Sequence, residues 1–160
     1  MNARFVLTGL LTSALNLLLH AGLFVGFLKD FFEAHPAGSP EFLRQLNRGL
    51  DELVPWALVA SALALGFFIT VVVRWSGAKG AVSGLKSGAV MGLLYWAGIN
   101  FGLYASSHNF SLPSTLADLV CSALCMTLSA GFAAWMLNRS STHRTVDEMD
   151  DVRAPALGQR

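Results

Sequence analysis

Residues 84–137 read GLKSGAVMGLLYWAGINFGLYASSHNFSLPSTLADLVCSALCMTLSAGFAAWML, and this stretch decides the fold. It contains two apolar blocks of about 20 residues each, separated by a short polar turn at residues 106–111. A helix rises about 1.5 Å per residue, so each block is long enough to cross a hydrocarbon core of about 30 Å. The stretch therefore predicts a hairpin of two membrane-spanning helices.

The whole 160-residue chain has the same character, because 54% of its residues are hydrophobic and only 13% are charged. Average soluble domains carry about 25% charged residues. The apolar residues fall in four blocks, at about residues 5–28, 54–73, 87–105 and 112–137. Blocks this continuous exclude the alternating strands of a membrane barrel, and in lipid they must be helical. We predict an all-α, polytopic membrane protein with four transmembrane helices in one domain, residues 1–138.

The segment between the first two spans, residues 29–53, is predicted to be a loop that carries an amphipathic helix at about residues 40–53. Ser39 can cap this helix, and Pro40 suits its first position. Leucines then recur at steps of three and four residues, with charged side chains on the other face. The helix is too short and too charged to span, so we predict that it lies on the membrane surface. A partner-binding helix is the alternative.

Two polar segments lie outside the spans. The segment from Arg74 to Lys86 is basic and rich in glycine, and we predict a short connection between the second and third spans. Residues 139–160 are polar, with an acidic cluster within residues 147–151. Because little there can form a core, we predict a disordered tail.

The distribution of lysine and arginine predicts the orientation in the membrane. Eight of the eleven lie on the side that holds the two termini and the second loop. The positive-inside rule therefore places both termini in the cytoplasm. The amphipathic helix and the turn at residues 106–111 then face outward.

Glycines recur at four-residue steps along the third span. Gly84, Gly88 and Gly92 form one row, and Gly98 and Gly102 repeat the spacing further along. Helices in lipid associate by close packing, and such small-residue rows allow two backbones to approach. The rows predict helix packing, either against a neighbouring helix of the same chain or against a second copy in a homodimer.

Polar residues in the outer half of the predicted bilayer form a candidate site. Helical rise places Asn100 about 20 Å above Lys86, and His20 about 24 Å above Arg4. Asp118 is the one acidic residue within a predicted span, and an ionisable residue there indicates a functional site by default. The candidate site comprises His20, Asn100, Tyr104, His108, Asn109 and Asp118.

Two interpretations of Asp118 compete. In the structural interpretation, Asp118 pairs with His20, or it caps the start of the fourth helix together with Ser114 and Thr115. In the functional interpretation, Asp118 and His20 form a proton or cation site, to which Asn100 and Tyr104 supply hydrogen bonds. The structural interpretation is favoured because Asp118 lies close to the outer interface, where burial of its charge costs less.

The chain lacks the sequence patterns of common catalytic and metal sites. Cys121 and Cys125 are four residues apart, so they form no C-x-x-C pair, and we expect them to be packing residues. There is no P-loop, G-x-S-x-G or H-E-x-x-H motif. Basic residues are too few and too scattered for nucleic acid. We therefore expect no enzymatic activity, no metal, no cofactor and no nucleic-acid partner.

About half of the chain resembles a group of small four-span bacterial inner-membrane proteins. The shared pattern is a G-x-K-x-G-A entry, a Tyr–Ala/Gly–Ser/Thr turn, an Asn, and a span that opens on L-x-x-x-L-x-D. The matching residues are Gly84, Lys86, Gly88, Tyr104, Ala105, Ser106, Asn109, Leu112, Leu116 and Asp118. Lys29–Phe32 followed by Ala34 also resembles the end of the first span in that group. The resemblance implies four spans and a bacterial inner membrane, and it carries no activity with it.

These observations favour a non-enzymatic inner-membrane protein that serves as an accessory or self-associating structural component. Its expected partners are the lipid bilayer and either further copies of itself or a larger membrane complex. The alternative is a small carrier or channel for a proton, a cation or a small polar solute, which would use Asp118 and His20.

Overall fold

The computed structural model describes residues 3–46, 48–49 and 52–139, and these residues form helices joined by short connections. In chain order the helices are α1 (Ala3–Leu23), α2 (Lys29–Ala34), α3 (Pro40–Leu46), α4 (Pro55–Trp75), α5 (Ala81–Ser106) and α6 (Leu112–Asn138). A π-helical segment, Phe24–Leu28, joins α1 to α2 without a break. Four helical stretches are long and apolar enough to cross a membrane: Ala3–Ala34, α4, α5 and α6. This confirms the predicted all-α class and supports a multi-pass membrane protein.

The first helical stretch is longer than the sequence predicts. We expect a loop from Lys29 onward, whereas the helix continues to Ala34. Pro36 is the first proline in this part of the chain, and a proline disfavours helical geometry in the residue before it. His35 accordingly leaves the helix with φ −128° and ψ 58°. The stretch is therefore longer than the roughly 20 residues that a bilayer requires.

The connection between the second and third spans is shorter than the predicted segment from Arg74 to Lys86. Arg74 belongs to α4 and Lys86 to α5, so the connection is only residues 76–80. Gly77 has φ +67°, which a side chain with a Cβ rarely adopts, and it allows the chain to reverse within this short segment. The polar residues at the start of α5 are helical because no proline interrupts them.

The predicted amphipathic helix exists as α3 and begins at Pro40, as the capping pattern indicates. The hydroxyl oxygen of Ser39 accepts a hydrogen bond from the Phe42 amide at 3.3 Å. The helix ends at Leu46 rather than near residue 53. Residues 47, 50 and 51, and most of the predicted tail at residues 140–160, lie outside the described residues.

Two tryptophans mark the ends of α4. Trp56 is 75% exposed and Trp75 is 82% exposed. Trp75 lies nineteen helical steps after Trp56, a rise of about 28 Å, which is close to the thickness of a hydrocarbon core. Tryptophan favours the membrane–water interface, so this spacing supports a spanning orientation for α4.

Helix α6 is the centre of the bundle. In an apolar segment of 18 residues from α6, 56% of the residues are buried. In the corresponding segments of the other three stretches, 17–22% are buried. The buried core contains mostly small or medium side chains: Ile69, Val73, Met126, Ala130, Ala133 and Ala134. Large apolar side chains point outward instead, as at Leu18 (69% exposed) and Leu94 (68% exposed). This distribution is that of a protein whose surroundings are apolar.

The glycines of α5 divide into two groups. A Cβ on Gly88 would lie 2.5 Å from the Ala130 Cβ, and one on Gly92 would lie 2.9 Å from the Ala123 carbonyl oxygen. Gly84 is equally close to Ala134, so this row packs α5 directly on α6. Among the described residues, no atom lies within 4 Å of a Cβ built on Gly98 or Gly102. The described part of the chain therefore provides no packing partner for those two glycines.

Replacing Gly88 by leucine should destabilise the bundle. The new side chain has no room between α5 and α6, and overpacking of this kind costs about 1–3 kcal/mol. We expect a lower thermal midpoint and less folded protein in mild detergent. Gly22→Leu is the control, because no described atom lies within 4 Å of a Cβ at Gly22. Equal midpoints for the two variants would show that the α5–α6 contact is not tight.

Candidate functional site

A row of polar side chains runs along the buried face of α1. Thr8, Thr12, Asn16 and His20 are four residues apart, which places them on one helical face with a rise of about 6 Å per step. Both threonines are 0% exposed, Asn16 is 3% exposed, and His20 is half-buried. This face packs against α4 and α6, so the row lies inside the bundle.

The middle of the row connects α1 to α6. The Ser129 hydroxyl donates a hydrogen bond to Asn16 Oδ1 at 3.1 Å. Nδ1 of His20 lies 2.9 Å from the Asn16 carbonyl oxygen, and the His20 ring centroid lies 5.6 Å from the Trp96 ring centroid. The row therefore reaches α5 at His20 through Trp96.

Several polar atoms of this interior have no hydrogen-bond partner among the described residues. They are Thr8 Oγ1, Thr12 Oγ1, His20 Nε2, Trp96 Nε1 and Asn100 Nδ2. A buried polar group without a partner is costly, and such groups commonly bind water or a ligand. Trp96 and Asn100 lie one turn apart on α5, and Trp96 contacts His20. The His20 end of the row thus offers two N–H donors, from Trp96 and Asn100, and one imidazole ring to a small polar molecule.

The structure separates the other predicted site residues from this interior. Tyr104 is 43% exposed. Together with His108, it lines an open groove of about 620 Å³ at the end of the bundle that holds the turn at residues 106–111. Asn109 is half-buried in the turn between α5 and α6.

Asp118 is partly buried on α6, and it shares one helical face with Cys121 and Cys125. The contacts of His20 are with Asn16 and Trp96, and within the described part of the chain no ion pair joins it to Asp118. Neither does Asp118 cap α6, because the cap is Ser111, whose side chain accepts from the Ser114 amide. Among the described residues, Asp118 therefore neither pairs with His20 nor caps α6, the two structural roles that we predict for it.

Ser111 and Ser114 instead connect α6 to the end of the first helical stretch. The Ser111 hydroxyl lies 2.7 Å from the His35 carbonyl oxygen, and the Ser114 hydroxyl lies 3.0 Å from the same atom. The Thr115 hydroxyl donates to the Ser111 carbonyl at 2.9 Å. This arrangement satisfies a free carbonyl at a helix end and joins the end of the first helical stretch to the start of α6.

Five of the interior residues are missing from the predicted site: Thr8, Thr12, Asn16, Trp96 and Ser129. The four-residue spacing from Thr8 to His20 is a signal present in the sequence. Trp96 and Ser129 carry no such signal, because their place depends on how α5 and α6 turn toward α1.

The unpartnered atoms of the interior can form hydrogen bonds to a small polar molecule. Among the described residues, no group of three or more His, Cys, Asp or Glu side chains could hold a metal ion. Cys121 and Cys125 are buried free thiols. The chemistry on offer is hydrogen bonding along the row and at the imidazole of His20. Comparison with family models, curated proteins and solved structures finds no match for this chain.

Replacing Ser129 by alanine should weaken the bundle. The change removes the hydrogen bond between α6 and α1 and leaves Asn16 Oδ1 without its donor. Such bonds contribute about 0.6–2 kcal/mol in membrane proteins. Ser13→Ala is the matched control, since Ser13 is also buried but donates to Gly9 of its own helix. Unfolding in detergent measures both, and an equal loss of stability would contradict a specific role for the Asn16–Ser129 bond.

Proposed function

We propose that the protein is a non-enzymatic component of a bacterial inner membrane that works through association with itself or with other membrane proteins. The observation that carries this proposal is the open pair of glycines on α5, Gly98 and Gly102. The resemblance of the hairpin to small four-span bacterial proteins supports the choice of membrane.

The argument rests on the contrast within one helix. In its first half, the glycines of α5 allow close contact with α6. In its second half, Gly98 and Gly102 keep the same four-residue spacing and meet no described atom within 4 Å. A glycine inside a helix costs about 1 kcal/mol relative to alanine, and close helix packing is what offsets this cost in membranes. The open pair therefore fits a helix from outside the chain.

The charge distribution supports a cytoplasmic location for both termini. Arg4, Arg74 and Lys79 lie around one cavity at the end of the bundle where α1 begins and α4 and α6 end. The opposite end has three of the eleven basic residues, Lys29, Arg44 and Arg48, and its turn at residues 106–111 contains none. This asymmetry is the one that the positive-inside rule describes.

Leucine at Gly98 and Gly102 should abolish self-association while the chain still folds. The built Cβ atoms meet nothing within the described chain, so the larger side chains are accommodated in a single copy but keep a second helix away. Cross-linking in native membranes and migration on native gels measure the dimer.

Gly22→Leu is the control for this double variant, since Gly22 is also open and lies on another helix. Wild-type protein that yields no cross-linked dimer and co-purifies with no other membrane protein would contradict the proposal. An equal loss of dimer in the Gly22→Leu variant would show that α5 is not the seam.

A second candidate function is a small carrier or channel for a proton, a cation or a small polar solute. The observation that favours it is the buried polar row from Thr8 to His20, with its unpartnered atoms. Polar groups about 6 Å apart suit a chain of water molecules, each of which needs two or more polar partners. His20 supplies the imidazole of this row, a side chain that proteins commonly use to carry protons. Asp118 is not among the contacts of His20, so the proposed site rests on His20. Whether Asp118 takes part is tested separately.

Proton or cation flux into vesicles containing the purified protein tests this candidate. His20→Gln should reduce the flux to that of empty vesicles while folding is retained, because glutamine cannot exchange a proton at neutral pH. Asp118→Asn shows whether the carboxylate takes part, and Tyr104→Phe serves as the control because Tyr104 is exposed. Wild-type vesicles with no more flux than empty vesicles would exclude this function.

A further inference from the structure

Three cationic side chains surround one cavity at the end of the bundle opposite the polar turn. The cavity has a volume of about 350 Å³, and its lining includes Arg4, Arg74, Lys79 and Asn138. The three cations come from three separate parts of the chain: the start of α1, the end of α4 and the connection at residues 76–80. No carboxylate is found among the described residues that line it.

The cavity is built by specific contacts and does not depend on exposed side chains alone. The Arg74 guanidinium lies 5.4 Å above the Phe5 ring, a cation–π contact that holds the side chain beside α1. Asn138 donates one hydrogen bond to the Ala78 carbonyl at 2.9 Å and another to the Ala134 carbonyl at 2.8 Å. These bonds tie the connection to the end of α6. The positions of Arg74 and of the connection are therefore set before any ligand binds.

Three positive charges around one small cavity repel each other, and an anion removes that repulsion. Arginine and lysine are the side chains that bind phosphate oxygens, arginine through its planar fork and lysine as a point charge. The chemistry of the cavity thus selects an anion with several oxygens, such as a phosphate group.

The position of the cavity indicates which molecule presents that phosphate. Trp75 follows Arg74 directly and is 82% exposed, as expected for a tryptophan at the membrane interface. Arg139 lies 4.9 Å from the Trp135 ring at the same end of the bundle. A cavity between helix ends at this level lies at the depth of lipid headgroups, where basic pockets attract anionic lipids.

We propose that this cavity is a binding site for the headgroup phosphate of an anionic phospholipid, held by Arg4, Arg74 and Lys79. The lipid bridges the start of α1, the end of α4 and the connection to α5, and so stabilises the bundle at this end. The site is independent of self-association through Gly98 and Gly102, which lie in the other half of α5.

Thermal unfolding of the full chain in nonionic detergent, titrated with short-chain phosphatidylglycerol, tests the proposal. Wild-type protein should be stabilised in a saturable manner, since a ligand that binds the folded state raises the midpoint. Arg74→Gln combined with Lys79→Gln should weaken the apparent affinity about tenfold or more. Lys79→Gln alone changes an exposed side chain in the connection, so this variant should fold even if the double variant folds poorly. It should show a smaller loss of affinity for phosphatidylglycerol than the double variant.

The control variant is Arg139→Gln, which removes a cation from the same end of the bundle but not from the cavity. An equal loss of affinity in this variant would overturn the proposal. Phosphatidylcholine that stabilises the wild type as strongly as phosphatidylglycerol would overturn it too. Inorganic phosphate with the same effect at similar concentration would show that the site takes a free anion and not a lipid.

The acidic segment of the chain is the rival occupant. Its residues Asp147, Glu148, Asp150 and Asp151 lie outside the described residues, and they follow Asn138 by about ten positions. A variant with all four neutralised distinguishes the two occupants. If phosphatidylglycerol stabilises that variant but not the wild type, the acidic segment fills the cavity and the lipid assignment is wrong. Equal stabilisation of both proteins supports the lipid site.

Discussion

The close contact of α6 with its neighbours is the interaction on which the rest of the structure depends. Lipid chains are as apolar as leucine, so the spans gain little by hiding large side chains from them and associate through close packing instead. Gly84, Gly88 and Gly92 remove side chains from the face of α5, and Ala130 and Ala134 present small ones on α6. As a consequence, the backbones approach each other and the large apolar side chains are left facing outward.

This tight interior limits how polar groups can be accommodated. Several hydroxyls are satisfied within their own helix, as when Ser13 donates to Gly9 and Thr70 donates to Gly66. Such bonds need no partner helix and cost the packing little. The groups near His20 are different, because His20, Trp96 and Asn100 each keep a buried nitrogen without a partner among the described residues. A close-packed bundle tolerates such groups where they bind water or a ligand. The His20 end of the row is therefore the best candidate for a polar site.

The proposed activities use separate parts of the molecule. Self-association uses the outer face of α5 near Gly98 and Gly102, and solute binding uses the interior beside His20. The proposed lipid site lies at the opposite end, around Arg74 and Lys79. Because these surfaces do not overlap, a lipid, a second copy and a small solute can bind the same bundle together. Variants at one site therefore report on that site with little effect on the others.

The sequence by itself determined the helical class, the four apolar stretches and the glycine row on α5, because each follows from length, hydropathy and residue spacing along one helix. It left open which helix that row packs against. It also indicated His20 and Asn100 as polar residues inside spans. Only the tertiary structure decided that Trp96 contacts His20 and that Ser129 bonds to Asn16. It also decided that no ion pair among the described residues joins Asp118 to His20. Those facts depend on the rotation of α5 and α6 about their axes relative to α1. Helical periodicity specifies which residues share a face, whereas contacts between helices decide which face meets which neighbour.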